Sequence, residues 1–173
     1  RIVGAGLALC GVGVTTLDDA LNDVTTFAAN VTGALTYVDA SNLTIGSVAG
    51  VTGILSANNN VSLTVPGNLS LSNLVNAGSG IVSVNLTGGA SQAGGADVIA
   101  SGFLLTGGAG AVTLNGAGNN VTDIAYNRAG SLSFRDADAV NVGTVAGVNG
   151  ITSGNANVVL QSGGNLTLAQ PIQ

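Results

Sequence analysis

The chain contains no Lys, Glu, His, Met or Trp, and one cysteine, Cys10. Each gap excludes a chemistry. Without His, a lone Cys cannot build a zinc site. Without Lys, no glycine-rich loop ends in the Gly-Lys-Ser/Thr that cradles phosphate. Without His or Lys, no nucleophile has an ordinary base beside it. One cysteine gives no disulfide framework, and Cys10 is expected to be a small buried hydrophobe. The only cations are Arg1, Arg128 and Arg135, set against eight Asp, for a net charge of −5. No basic cluster exists, which argues against nucleic acid and anionic membranes as partners. The longest apolar run, Ile2–Val14, is too short to span a bilayer, so no membrane insertion is expected.

What remains is 46% apolar residues among many Gly, Asn, Ser and Thr, in alternation rather than in a helical period. That pattern excludes disorder and favours strands. The chain also repeats itself. Residues 22–76, shifted by 97, lie on 119–173 without a gap, with 25 identities in 55 positions. Val48-Ala49-Gly50-Val51 meets Val145-Ala146-Gly147-Val148, and Gly67-Asn68-Leu69 meets Gly164-Asn165-Leu166. The Ile2–Val14 run resembles the core of a signal peptide, but Gly6-Leu7-Ala8-Leu9 has a counterpart in Gly102-Phe103-Leu104-Leu105. A pair of apolar strands explains both copies, and a targeting segment explains one. The units are about 1–97 and 98–173, the second incomplete. The chain therefore reads as a single segment of something longer.

The segments are Val14–Leu17, Val24–Ala28, Ala34–Val38, Leu43–Val48, Gly53–Leu55, Val61–Val65, Leu69–Leu71, Ile81–Leu86, Asp97–Ala100, Phe103–Leu105 and Val112–Leu114. All are short, alternate with period two, and are bounded by Gly, Asn, Asp or Ser. Two-residue hairpin signals are sparse, with Asn115-Gly116 and Asn149-Gly150 as exceptions. Short strands, small corners and a long repeat predict an all-β fold, a parallel β-helix or β-solenoid. Four coils of about 24 residues or five of about 19 fit one repeat, giving roughly seven to nine coils and a rod about 35–45 Å long. On this reading residues 97 apart share a face, a whole number of coils apart. Asn68 and Asn165 are candidates for stacked amide ladders, and Pro66 and Pro171 fall at segment edges, where a missing N–H costs little. Neither end shows a cap, so the expected partners are further β-helical coils, of the same or identical chains, at both ends.

Gly33 through Ala40, then Leu43 through Val48, Gly53-Ile54, Asn68 through Leu71, and Gly102 through Gly108 leading to Asn119-Asn120-Val121, together resemble filamentous-haemagglutinin-like large exoproteins of bacteria. The resemblance covers nearly the whole chain. It implies a right-handed β-helix, type V secretion, an extracellular or cell-surface location, and a role in attachment to a host or neighbouring cell.

Candidate chemistry is thin. Asp136 and Asp138, two apart, suggest a shared face as in polysaccharide-cleaving β-helices, but no His, Lys or Glu accompanies them and the repeat places Ser41 opposite Asp138. Solvated corner carboxylates are the plainer reading, as for Asp18, Asp19 and Asp23. Gly107-Gly108-Ala109-Gly110 and Gly116-Ala117-Gly118 echo calcium-binding glycine repeats, yet Val112 and Asn120-Val121 stand where the ligating Asp belongs; Asp39 or Asp136 remains for a sporadic site. Seven Asn-x-Ser/Thr triplets begin at Asn30, Asn42, Asn60, Asn68, Asn85, Asn120 and Asn165. No Thr-x-Thr array of an ice-binding face occurs. The expectation is a non-enzymatic structural rod with no catalytic, cofactor-binding or metal-binding residues. A self-assembling filament subunit is the alternative, and a polysaccharide-cleaving β-helix a remote one.

Overall fold

The computed structural model describes residues 1–173. The chain forms no helix. In order, the strands of the first unit are β1 (Val3–Gly11), β2 (Thr15–Leu17), β3 (Asp23–Val31), β4 (Leu35–Val38), β5 (Leu43–Ile45), β6 (Ser47–Val48), β7 (Val51–Thr52), β8 (Ile54–Leu55), β9 (Val61–Val65), β10 (Leu69–Leu71), β11 (Val75–Asn76), β12 (Ile81–Leu86) and β13 (Ala90–Gln92). Then come β14 (Val98–Gly107), β15 (Val112–Leu114), β16 (Asn120–Asn127), β17 (Leu132–Asp136), β18 (Val140–Val142), β19 (Thr144–Val145), β20 (Val148–Asn149), β21 (Ile151–Thr152), β22 (Val158–Ser162) and β23 (Leu166–Leu168). Nineteen strands wind in parallel into a β-solenoid of about seven turns. The other four form two antiparallel hairpins, β6–β7 and β19–β20.

One column shows the winding. Leu17, Tyr37, Leu63, Val84, Leu105, Tyr126, Ile151 and Ile172 stack one above another. Neighbours in this column lie 20 or 21 residues apart, except Tyr37–Leu63 and Tyr126–Ile151 at 26 and 25, where a hairpin lengthens the turn. At about 4.8 Å per turn the rod is about 35 Å long. Alternate side chains point inward, and 35 of them form one continuous core. All five aromatic residues are buried there, Phe27 and Tyr37 stacked with ring centres 4.4 Å apart. The outward residues of one face form a row of Thr44, Ser70, Ser91, Thr113 and Ser133.

The expected whole-number spacing of the repeat is incorrect. Tyr37 rises four turns in its own column to Tyr126, whereas its repeat counterpart Phe134 lies eight residues further on, between Leu114 and Leu160. Likewise Phe27 and the Ile45 it carries belong to the column of Leu7 and Leu71, whereas its counterpart Ile124, which carries Val142, continues the column of Leu35, Val61, Val82 and Phe103. One unit therefore advances four turns and one face. The reason is the length of the unit: four turns, one of them lengthened by the hairpin, run from Tyr37 to Tyr126, and the eight residues from Tyr126 to Phe134 carry the chain on to the next face.

The hairpins were not visible in the alternation. Gly46 breaks the expected Leu43–Val48 strand, and the chain turns back at Ala49-Gly50, with φ of 50° and 86°. Ala146-Gly147 repeats this with 47° and 84°. Two successive positive φ values are the signature of a type I′ hairpin turn, usually built from Asn-Gly. Each hairpin folds back over the outer surface of the turns beneath it. A Cβ on Gly6 would lie 3.0 Å from Val48 Cγ1, and one on Gly102 2.9 Å from Val145 Cγ1. The recurrent glycine is the seat for the hairpin valine. Val145 joins Leu104 and Ala125 in a small outer apolar cluster, flanked by Ile81 and Val148. Asn115-Gly116 makes no hairpin, and Asn149 is the last residue of β20.

Cys10 is exposed rather than buried. It belongs to the outward row of Asn30, Leu55, Asn76, Ile99 and Asn120, because Leu7 and Leu9 take the inward positions of β1.

Candidate functional site

The polar chemistry of the chain is concentrated at its corners, where strands end and backbone groups lose their ladder partners. The two copies of one corner can be compared directly. In the first unit Asp39, fully buried, accepts three hydrogen bonds: from Val24 N–H (3.1 Å), Tyr37 Oη–H (2.7 Å) and Ser41 N–H (2.9 Å). Burial, and secondarily the Asp39 carboxylate, push the Tyr37 phenol well above its usual range. In the second unit Asp136 is 1% exposed and accepts Val121 N–H (2.9 Å) and Asp138 N–H (3.1 Å). Phe134 replaces Tyr37, so the third donor is gone, and Asp138 replaces Ser41, so a second carboxyl stands alongside. Burial first, and the Asp138 carboxyl after it, raise Asp136 to about 6, against the lowering effect of the two N–H donors.

Asp136 is thus not a solvated corner acid, and it does not share an open face with Asp138. The first points into the corner and the second is exposed, holding Asn120 Nδ2–H at 3.1 Å. Asp19 is exposed and pairs with the N-terminal amine at 2.9 Å, and Asp23 accepts Ser41 Oγ–H at 2.8 Å. No three of the acids or Cys10 converge as metal ligands.

Arg128 does not serve Asp136. It is 3% exposed and spans the corner below, where its Nη atoms donate to the carbonyls of Leu86 (2.6 Å), Thr106 (3.2 Å), Gly88 (2.5 Å) and Gly110 (3.0 Å). Its Nε is buried without a partner. Of the glycine-rich stretch thought to echo a calcium site, only the Gly110 carbonyl joins this converging set, and a guanidinium takes it. The second stretch is tied down otherwise: Gly118 N–H reaches Asp97 Oδ1 (3.1 Å) and Gly116 N–H reaches Gln92 Oε1 (2.7 Å). Arg135 is exposed; its carbonyl accepts Asn119 Nδ2–H at 2.9 Å, and its side chain makes no hydrogen bond or ion pair.

The asparagines do not bond side chain to side chain as a stacked ladder; each accepts a backbone N–H of the next turn. Asn42 Oδ1 accepts Asn68 N–H (2.7 Å), Asn68 Oδ1 accepts Gly89 N–H (2.8 Å), and Asn60 Oδ1 accepts Ile81 N–H (2.9 Å). Asn165 lies in the last turn, and its side chain makes no such bond. The asparagines of all seven Asn-x-Ser/Thr triplets are exposed. Sequence reasoning missed Asn22 and Asn119, the buried pair that opens each repeat. Asn22 Oδ1 accepts Ile2 N–H (2.7 Å) and Asn119 Oδ1 accepts Val98 N–H (2.8 Å). Their identity across the repeat was the available signal. The surface holds only shallow grooves, one lined by Asn68, Ser70, Gly89, Ser91 and Ala111 without a charged group.

The corners accordingly join one turn to the next; none gathers a nucleophile, a base and an open cleft. No family model matches the chain, and no curated protein or solved structure matches it either.

Proposed function

We propose that the chain is a non-catalytic structural segment of a secreted, surface-exposed bacterial exoprotein, a stiff stalk of the filamentous-haemagglutinin-like kind. The observation that carries this reading is the use made of the polar side chains. Asn22, Asn42, Asn60, Asn68, Asn119, Asp39, Asp136 and Arg128 all bond backbone groups, most of them in a neighbouring turn. Such side chains add axial cross-links to the β-ladders, as a load-bearing rod requires. Electron microscopy of the native material, with the intact chain weighed by mass spectrometry and its position located by surface labelling of whole cells, tests the proposal. A thin continuous rod of mass far above 16.5 kDa, reached by the label from outside, is the expected result. A protein confined to the cell interior would refute it.

A filament subunit is the alternative reading, and it rests on the two outermost turns. The exposed large apolar residues are Val3, Val12, Val14 and Leu21 in the first turn and Val159, Leu166, Leu168 and Ile172 in the last. A further coil, of the same chain or of an identical one, covers such surface. Long fibres assembled from chains of 16.5 kDa would support that reading over the stalk.

A further inference from the structure

The two copies of the acidic corner form an internal control. The same turn has the same buried Asp, and two substitutions separate them: Tyr37 against Phe134, and Ser41 against Asp138. The first removes a donor from the buried carboxylate of Asp136. The second places another carboxyl within hydrogen-bonding reach of it. A buried carboxylate with too few donors and a like charge beside it is relieved by taking up a proton, which then needs an acceptor. Asp138 supplies one.

We propose that the Asp136–Asp138 corner is a proton-dependent clamp: at mildly acidic pH one proton bridges the two carboxyls and tightens the turn that leads into β18 and the second hairpin, and at higher pH the two charges repel and loosen it. The surroundings offer no competing control. On its own strand stands Arg135, whose side chain is exposed and unpaired. On β16 stands Asp123, bound by Asn141 Nδ2–H at 2.6 Å. The turn above brings Ser162, Gly163 and Gly164, and the turn below brings Gly116, with Asp97 beneath it. Only Asp138 acts on Asp136 through its charge.

The sign follows from proton counting. Between about pH 4 and about 6 the folded chain holds a proton that the unfolded chain has released, so stability falls as pH rises through that window. Asp19, lowered chiefly by its bond to the N-terminal amine, acts only below it.

The test is the exchange of one corner's residues for the other's. Carboxyl-carbon NMR titration and thermal unfolding are run on the wild-type chain and on Phe134→Tyr/Asp138→Ser. In the wild type Asp136 titrates near 6, and Tm rises by about 3 °C or more from pH 7 to pH 5. In the double variant its midpoint drops by at least about one unit, and the rise in Tm disappears. Should the double variant fail to fold, Asp138→Ser alone must lower the midpoint. A wild-type midpoint below about 4.5, or one that neither variant moves, overturns the proposal.

Discussion

Three alanines in this chain, Ala49, Ala57 and Ala146, hold a backbone conformation that alanine disfavours. Ala49 and Ala146 sit at φ near +50° in hairpin turns, where a Cβ crowds the following carbonyl at a cost of about 1–2 kcal/mol. Asparagine tolerates that region, and Asn-Gly is the preferred pair for the turn. Ala49→Asn and Ala146→Asn are each expected to stabilise the chain by about 0.5–1 kcal/mol, read as a higher urea midpoint with an unchanged slope. Glycines give the opposite lesson. A Cβ on Gly33 would meet the Gly13 backbone at 2.2 Å, whereas one on Gly94 would meet nothing. Backbone cannot swing aside as a side chain can. Gly33→Ala is expected to cost about 2–3 kcal/mol, with Gly94→Ala neutral or slightly stabilising; chemical unfolding of the pair separates stacking from composition. The misreadings at this scale have the same root. Cys10 and Asp136 were judged by residue type, but the alternation of β1 and the inward turn of the corner decide their burial. Arg128 was legible in principle, since the repeat sets it opposite Val31, an inward position.

At the scale of elements, alternation placed β9, β10, β12 and β15 at their expected bounds, but the long β14 was read as two segments and β3 was read too short. Two-residue strands such as β11 carry too little pattern to be read. The hairpins escaped because Val-Ala-Gly-Val continues the apolar alternation and lacks the usual turn pair; only the geometry of Ala49-Gly50 reveals the reversal. Arg128 is the element-scale fastener. Its four carbonyl partners lie in the two turns beneath its own, so it holds three turns together at one corner. Arg128→Met keeps the length of the side chain and removes the donors. The buried carbonyls left behind are expected to cost about 2–4 kcal/mol. Amide exchange at Gly108, whose N–H bonds Leu86 O, should quicken in that variant.

At the scale of the whole molecule, contacts run mainly between adjacent turns, with Arg128 and the hairpins reaching one turn further, so stability is close to a sum of local terms and opening begins at the ends. Hydrogen exchange is expected to show the slowest amides in β9, β12, β14 and β16 and the fastest in β2 and β23. Uniform protection along the rod would contradict a one-dimensional stack. The solenoid class was legible because the repeat and the alternation agree. Its pitch was not, because sequence spacing counts residues while stacking counts turns, and a hairpin changes the exchange rate between them.

That mismatch governs shape. A unit that returned to its own face would pile every hairpin on one side of the rod, and any small asymmetry in its packing would add up to a bow. Because each unit turns by one face, three successive units of an array would point their hairpins in three directions. The protrusions would run round the shaft like a screw thread, and the lateral strains of the units would cancel over one full revolution, leaving the axis straight.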